Sequence, residues 1–311
     1  MPENAKAVHS ALLNLPRFNG ILPDAYTKTR LGGLTNLVYR IEFANEKLIV
    51  RIPGSGTEAY IDRAVELHNA RAAARTGVSA EILWADAKTG VMITTCIDPA
   101  TTMTPALFVT TKGAPTRAGK ALARLHITSA EFQFRFELFA MIDDYLGVLA
   151  GKETALPAGY HDIVQAAAPV KAALAAHPAT LAPCHNDPLC ENFLDDGHQM
   201  WIIDWEYSGM NDPMWDLGDL SVEAGFSPAQ DAEMLTAYFG RAASAREHGR
   251  MVIYKAMSDL LWTLWGLIQH ADNNPAEDFW AYALERFERC KSLMQSPKFS
   301  QHLAAIQSPA T

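Results

Sequence analysis

Positive charge is scarce in this chain. Its 311 residues include 26 Lys and Arg against 35 Asp and Glu, a net charge of −9. A general nucleic-acid binder needs a basic face, and a membrane-surface protein needs a polybasic patch; the balance argues against both. It is compatible with a cationic substrate. Cysteine is also scarce. Cys96, Cys184, Cys190 and Cys290 contain no CxxC spacing, so no zinc site is expected. Long apolar runs are missing: no stretch of about 18 apolar residues predicts a membrane span. The first residues, MPENAKAVHSALLNLPRF, lack a charged start followed by a long apolar segment, so no signal peptide is expected. Together these absences predict a cytoplasmic protein with reduced thiols. There is no internal repeat, no low-complexity segment and no full GxGxxG.

What is present reads as a globular protein with a real core: 49% hydrophobic and 20% charged residues. The length is about twice that of one ordinary domain. The first hundred residues or so are strand-rich. LVYRIEF (37–43) and EKLIVRI (46–52) predict one hairpin, and AEILWAD (80–86) and VMITTCI (91–97) a second around AKTG. Between them AYIDRAVELHNARAAARTG predicts a helix closed by Gly77. After residue 98 the pattern becomes helical, with candidates at 117–127, 132–149, 161–177, 229–246, 248–271 and 277–294. The prediction is an α+β, two-lobed chain: a small β-rich nucleotide-binding lobe over 1–98 and a larger α-rich catalytic and substrate-binding lobe over 99–311, with a ligand cleft between them.

One region breaks the helical pattern. CHNDPLCENF (184–193) is followed by WIIDWEYSG (201–209), and NFL and MWII predict two short strands around DDGHQ. Such a hairpin brings Asn192 at its start and Asp204 at its end to one edge. Two oxygen donors on a fixed edge suit a hard cation such as Mg²⁺, which leaves positions open for phosphate oxygens and water. Asp187, in the loop just before, is placed to orient a hydroxyl and accept its proton. His185, Asp187 and Asn192 follow the H-x-D-x-x-x-x-N spacing of phosphoryl transfer, with Asp204 as the later metal ligand. A polar turn alone would also explain the first motif; the second Asp and the strand-rich first lobe favour the site.

The first lobe should then hold the nucleotide. Gly32 and Gly33 precede a strand and would let backbone N–H groups approach phosphates, although an ordinary turn has the same signature. Arg51 interrupts the apolar LIVRIPG and needs a partner, either a nucleotide phosphate steadied by Glu66 or, at a sheet edge, solvent. Further on, Trp262 and Trp265 share one helix face. Their segment is apolar nearly all round, as a core helix is, yet aromatic faces are also what a quaternary ammonium binds best, with Glu223 and Glu206 adding long-range attraction.

CHNDPLCEN, IIDWEYSG and WDLGDLSVE together resemble the choline/ethanolamine kinases, of the wider group that includes aminoglycoside phosphotransferases and has a protein-kinase-like fold. GGLTNLVYR and LIVRIPG resemble the nucleotide loop and phosphate-pairing strand, LLWTLWGLIQ the Trp-x-x-Trp helix, and YALERFERC the C-terminal helix. The likeness runs from about residue 30 to about residue 291. It implies Asp187 as base and Asn192 and Asp204 as Mg²⁺ ligands. Gly32, Gly33, Asn36, Arg51 and Glu66 would lie around ATP, while His185 and Asp216 would support the catalytic loop. Glu206, Tyr207, Glu223, Trp262 and Trp265 would line the choline side. Leu189 replaces a commonly polar residue and Glu191 a common Gly, which bears on acceptor preference. The activity implied is transfer of the γ-phosphoryl of ATP to choline. Ethanolamine, thiamine or an aminoglycoside are alternative acceptors, and a non-catalytic nucleotide-binding regulator is the alternative of another class. The sequence does not set the oligomeric state.

Overall fold

The computed structural model describes residues 3–32, 36–54, 61–127 and 130–307. The first lobe opens with α1 (Glu3–Leu12) and a 3₁₀ turn at Pro16–Phe18. An antiparallel sheet follows: β1 (Thr27–Arg30), β2 (Asn36–Phe43), β3 (Glu46–Pro53), then α2 (Arg63–Thr76), β4 (Ile82–Asp86) and β5 (Val91–Thr95). Its strand order is β1-β2-β3-β5-β4, so both predicted hairpins are present. Tyr39, Ile41, Leu48, Val50 and Ile93 pack with α1 and Phe18 in a core of their own. Because strand side chains alternate, burying Leu48 and Val50 on that face turns Arg51 to the other, toward α2. The predicted helix between the hairpins starts later than expected, after Asp62, whose carboxylate accepts the N–H groups of Ala64 and Val65. Gly77 closes it with φ of 77°, the left-handed conformation that glycine adopts at no steric cost.

The second lobe begins with β6 (Thr101–Thr102), α3 (Pro105–Thr110), α4 (Ala114–His126), α5 (Leu138–Ala150), α6 (Tyr160–Ala166) and α7 (Ala168–Ala176). Four short strands follow: β7 (Ala182–Cys184), β8 (Phe193–Asp195), β9 (Met200–Ile202) and β10 (Gly209–Asn211). The chain ends in α8 (Met214–Glu223), α9 (Pro228–Phe239), α10 (Ala245–Ala271), α11 (Phe279–Met294) and α12 (Phe299–Gln307). The strands form two small sheets, β10-β7 and β6-β8-β9, and the predicted 192–203 hairpin is β8–β9.

Several predicted helices differ in extent. The one expected at 132–149 starts only at Leu138, because residues before it run beside β10: Met210 donates to the Phe134 carbonyl and Phe136 to the Met210 carbonyl. The 161–177 candidate is two helices joined at Ala167, with Pro169 in the first turn of the second, where its missing N–H costs nothing. The 229–246 candidate stops at Phe239 before Gly240, and Ser244 with Glu247 then forms a capping box for α10. The helix α8 was not expected at all. Against the expectation that no run approaches membrane length, α10 is apolar and long enough to cross a bilayer, but 94% of its apolar window is buried inside the protein. It is a core helix, hydrophobic all round because α5, α8, α11 and α12 surround it.

Candidate active site

The loop carrying Asp187 is held from several sides. Asp216, at the start of α8, accepts the backbone N–H groups of His185 (2.7 Å) and Asn186 (2.8 Å). His126 Nε2 lies 3.0 Å from the same carboxylate, and its Nδ1 2.9 Å from the Tyr238 hydroxyl. Asn186 is in the left-handed region at φ 68°. It is fixed there by its own amide on the Tyr207 carbonyl, by Asn211 on its side-chain oxygen, and by the Trp215 indole on its carbonyl. His185 is fully buried, 2.8 Å from the Ile203 carbonyl and against the ring of Trp205. Burial lowers its pKa despite the opposing pull of Asp216. These contacts hold Asp187 at the cavity wall.

The β8–β9 hairpin does what its length predicts. Phe193 faces Ile202, Ile203 donates to the Asn192 carbonyl, and Asn192 and Asp204 emerge at the same edge. The Asn192 amide nitrogen is engaged by the Asp187 carbonyl at 3.0 Å, leaving its oxygen for another partner. Asp204 Oδ1 is buried and accepts no hydrogen bond among the described residues, with Arg51 Nη1 3.5 Å away. Burial, then Glu206, lifts the Asp204 carboxyl to about 7, against Arg51. A buried carboxylate oxygen without a hydrogen bond among the described residues, on the hairpin edge it shares with the Asn192 amide, is a hard-donor set that fits Mg²⁺. A second cluster, His126, Cys184 and Asp216, is closed: both His126 nitrogens and both Asp216 oxygens are already used.

Asp187, Asn192, Asp204, Glu206, Tyr207, Glu223, Trp262 and Trp265 all line one cavity of about 770 Å³. Beside Asp204 and Glu206, Arg51 pairs with Glu66. Glu66 also takes Arg63 at 2.8 Å, and Arg63 reaches across to Glu206. Glu206 is 3.9 Å from Arg51, so its carboxylate belongs to an ion network between the lobes rather than to a free acceptor-side charge. Asn36 is buried, and neither polar atom of its side chain has a hydrogen-bond partner among the described residues. Gly32 is exposed with open space where a side chain would go, and Gly33 lies outside the described residues.

In the same cavity the rings of Tyr207, Trp262 and Trp265 meet edge to face, at 5.4 Å and 6.5 Å between successive centroids. Each indole is anchored: Trp265 donates to the Tyr207 hydroxyl (3.0 Å) and Trp262 to Asp219 (3.1 Å). The two tryptophans are therefore both packed and cavity-lining. Glu223, expected as a free attractor, is instead held by both terminal nitrogens of Arg286.

The chain matches the phosphotransferase enzyme family over residues 27–254. A choline/ethanolamine kinase family protein from Mesorhizobium loti is 58% identical; the match covers 97% of this chain and 98% of that one, with a TM-score of 0.88. The chain belongs to the choline/ethanolamine kinase family. Choline kinase LicA from Streptococcus pneumoniae is 27% identical over 92% of this kinase and 99% of that chain, at a TM-score of 0.75. Protein LicA of Haemophilus influenzae is 28% identical over 85% of this kinase and 79% of that protein. Ethanolamine kinase 2 of Mus musculus is 34% identical over about a third of each chain: 34% of this kinase and 33% of that protein. Aminoglycoside 2'-phosphotransferase-IIIa, at 14% identity and a TM-score of 0.64, shares the fold. This kinase is thus an ATP-dependent phosphotransferase acting on an alcohol, with a protein-kinase-like architecture.

Five residues of the kinase's site escaped sequence reasoning. Arg63 looks like ordinary helix-surface charge until α2 is placed. Tyr282 and Arg286 are four apart on α11, and the guanidinium lies 4.2 Å from the ring centroid. Asp219 sits within WDLGDLSVE, where the 216, 219, 223 spacing puts three carboxylates on one face of a helix; that spacing was the legible signal. Arg30 donates to the carbonyls of Leu31, Gly32, Asn36 and Val38. All four cysteines are free thiols.

Proposed function

We propose that this kinase transfers the γ-phosphoryl of ATP to the hydroxyl of choline or a close amino alcohol. The observation that carries the acceptor assignment is the aromatic wall of Tyr207, Trp262, Trp265 and Tyr282 in the same cavity as Asp187. Aromatic faces are what a trimethylammonium, which has no N–H to donate, can bind. The choline kinase and ethanolamine kinase relatives support the same class of acceptor.

Asp187 accepts the hydroxyl proton as the alcohol oxygen attacks the γ-phosphorus and the bond to the departing ADP oxygen breaks. Burial, then the charges of Asp219, Asp204 and Glu223, hold its carboxyl well above the usual carboxylate range, with Arg286 opposing. Such a poised carboxylate suits a base. Asn192 and Asp204 would hold Mg²⁺, which when bound neutralises charge on the phosphates. Arg51, steadied by Glu66, faces the phosphate side; Asp216, His185 and His126 keep the loop in shape. ATP-consumption assays across choline, ethanolamine, thiamine and kanamycin-like acceptors test the reading. Choline is expected to be turned over best, with ethanolamine next; turnover confined to thiamine or an aminoglycoside would overturn it.

A further inference from the structure

Two carboxylates beside the aromatic wall are matched by arginines. Glu223 is held by Arg286, and Asp259 by Arg289 with Arg286 beside it. Asp219 differs. It forms no ion pair among the described residues, is 1% exposed, and spends one oxygen on the Trp262 indole at 3.1 Å while the other accepts no hydrogen bond. Trp265 offers the contrast, since its N–H goes to a neutral hydroxyl.

An indole N–H that donates to an anion gains electron density over its ring, and cation–π attraction grows with the negative potential of that face. The carboxylate also adds its own field at short range in a site with little water. We propose that Asp219 is a positioning residue for acceptor specificity: acting through the indole of Trp262, it makes that ring the face that prefers a cationic acceptor over a neutral one of the same shape. This rests on the function proposed above. Burial, then Glu223, disfavour the charged form of Asp219, while Arg286 and the Trp262 N–H favour it, so a cation arriving over the indole draws Asp219 into its ionised form. Asp187 and Asp259 are the other acids around it, so a cation arriving over the indole adds to the side that is short of charge.

Asp219→Asn keeps an acceptor for the indole and removes the charge. The measurement is KM for choline against KM for 3,3-dimethylbutan-1-ol, the neutral carbon isostere, with KM for ATP in parallel. The variant should raise the choline KM by about tenfold and leave the isostere and ATP within about twofold, the pattern of lost binding confined to one group. Trp262→Phe, which keeps an aromatic face but removes the N–H, should reduce the choline preference likewise, and the double variant should add nothing further. A choline-to-isostere ratio unchanged in Asp219→Asn overturns the inference; should that variant not fold, an unchanged ratio in Trp262→Phe does the same. A wild-type enzyme that turns over neither choline nor ethanolamine instead overturns the functional reading, and this inference with it.

Discussion

The two sides of the cleft use arginine–carboxylate pairs for different ends. On the proposed nucleotide side, Arg51, Glu66, Arg63 and Glu206 form a chain of ion pairs that ties α2 to the segment after β9, and so ties one lobe to the other. On the proposed acceptor side, Glu223, Arg286, Asp259 and Arg289 form a comparable chain entirely within the helical lobe, beside the aromatic rings. Both chains pair their cations; the first bridges the two lobes, whereas the second lies within one, and its Glu223, Arg286 and Arg289 line the same cavity as the rings. The lesson is that counting acidic residues near a cleft does not give its charge, because what counts is which of them remain unmatched.

The strongest way to sharpen this contrast is Asp187, the base proposed above. Asp187→Asn should cut turnover by about two to four decades while nucleotide binding is retained, the usual contribution of a positioned general base. Near-normal turnover on the best acceptor would remove Asp187 from that role. Because its carboxyl is raised and must be ionised to accept a proton, kcat should fall as the pH is lowered, beginning above the ordinary carboxylate range. A rate flat down to the pH of a free aspartate contradicts this.

Next come the two ion networks. Arg63→Met and Arg286→Met each strip the partner from a largely buried carboxylate, which typically costs about 3–5 kcal/mol of stability. The kinetic consequence should differ: the first raises KM for ATP, the second KM for the acceptor. Equal effects of both on one substrate would erase the distinction between the two sides. Smaller again is the aromatic contact. Trp265→Ala should raise the choline KM by about 30-fold, the equivalent of about 2 kcal/mol for a desolvated cation–π contact, with less change in kcat. Trp262→Ala should do likewise but lose more stability, since removing a buried Trp costs about 3–5 kcal/mol. An unchanged choline KM in both folded variants makes the tryptophans core residues only. The smallest effect is expected at Arg30. Arg30→Gln removes its bonds to the carbonyls of Leu31, Gly32, Asn36 and Val38 and should raise KM for ATP about fivefold, the scale of losing a net hydrogen bond or two, with KM for the acceptor unchanged. A matching rise for the acceptor would point to a general loss of structure.

Sequence alone determined the parts of this protein that are encoded over short stretches. The hairpins and the edge shared by Asn192 and Asp204 follow from two-residue alternation and short turns, which need no distant partner, whereas Arg51 could equally have reached solvent. The Asp216, Asp219, Glu223 face was equally local, but the glycine and acidic composition of α8 hid a helix that is buried by tertiary packing. What the chain could not reveal was which cation each acid would meet. Glu206 finds Arg63 across 143 residues of chain, and Glu223 finds Arg286 across 63. An ion pair depends on distance and burial in three dimensions, and neither is written in the residues beside it. Only the fold decided that Glu206 joins the lobes, that Glu223 is neutralised, and that Asp219 stands unmatched behind Trp262.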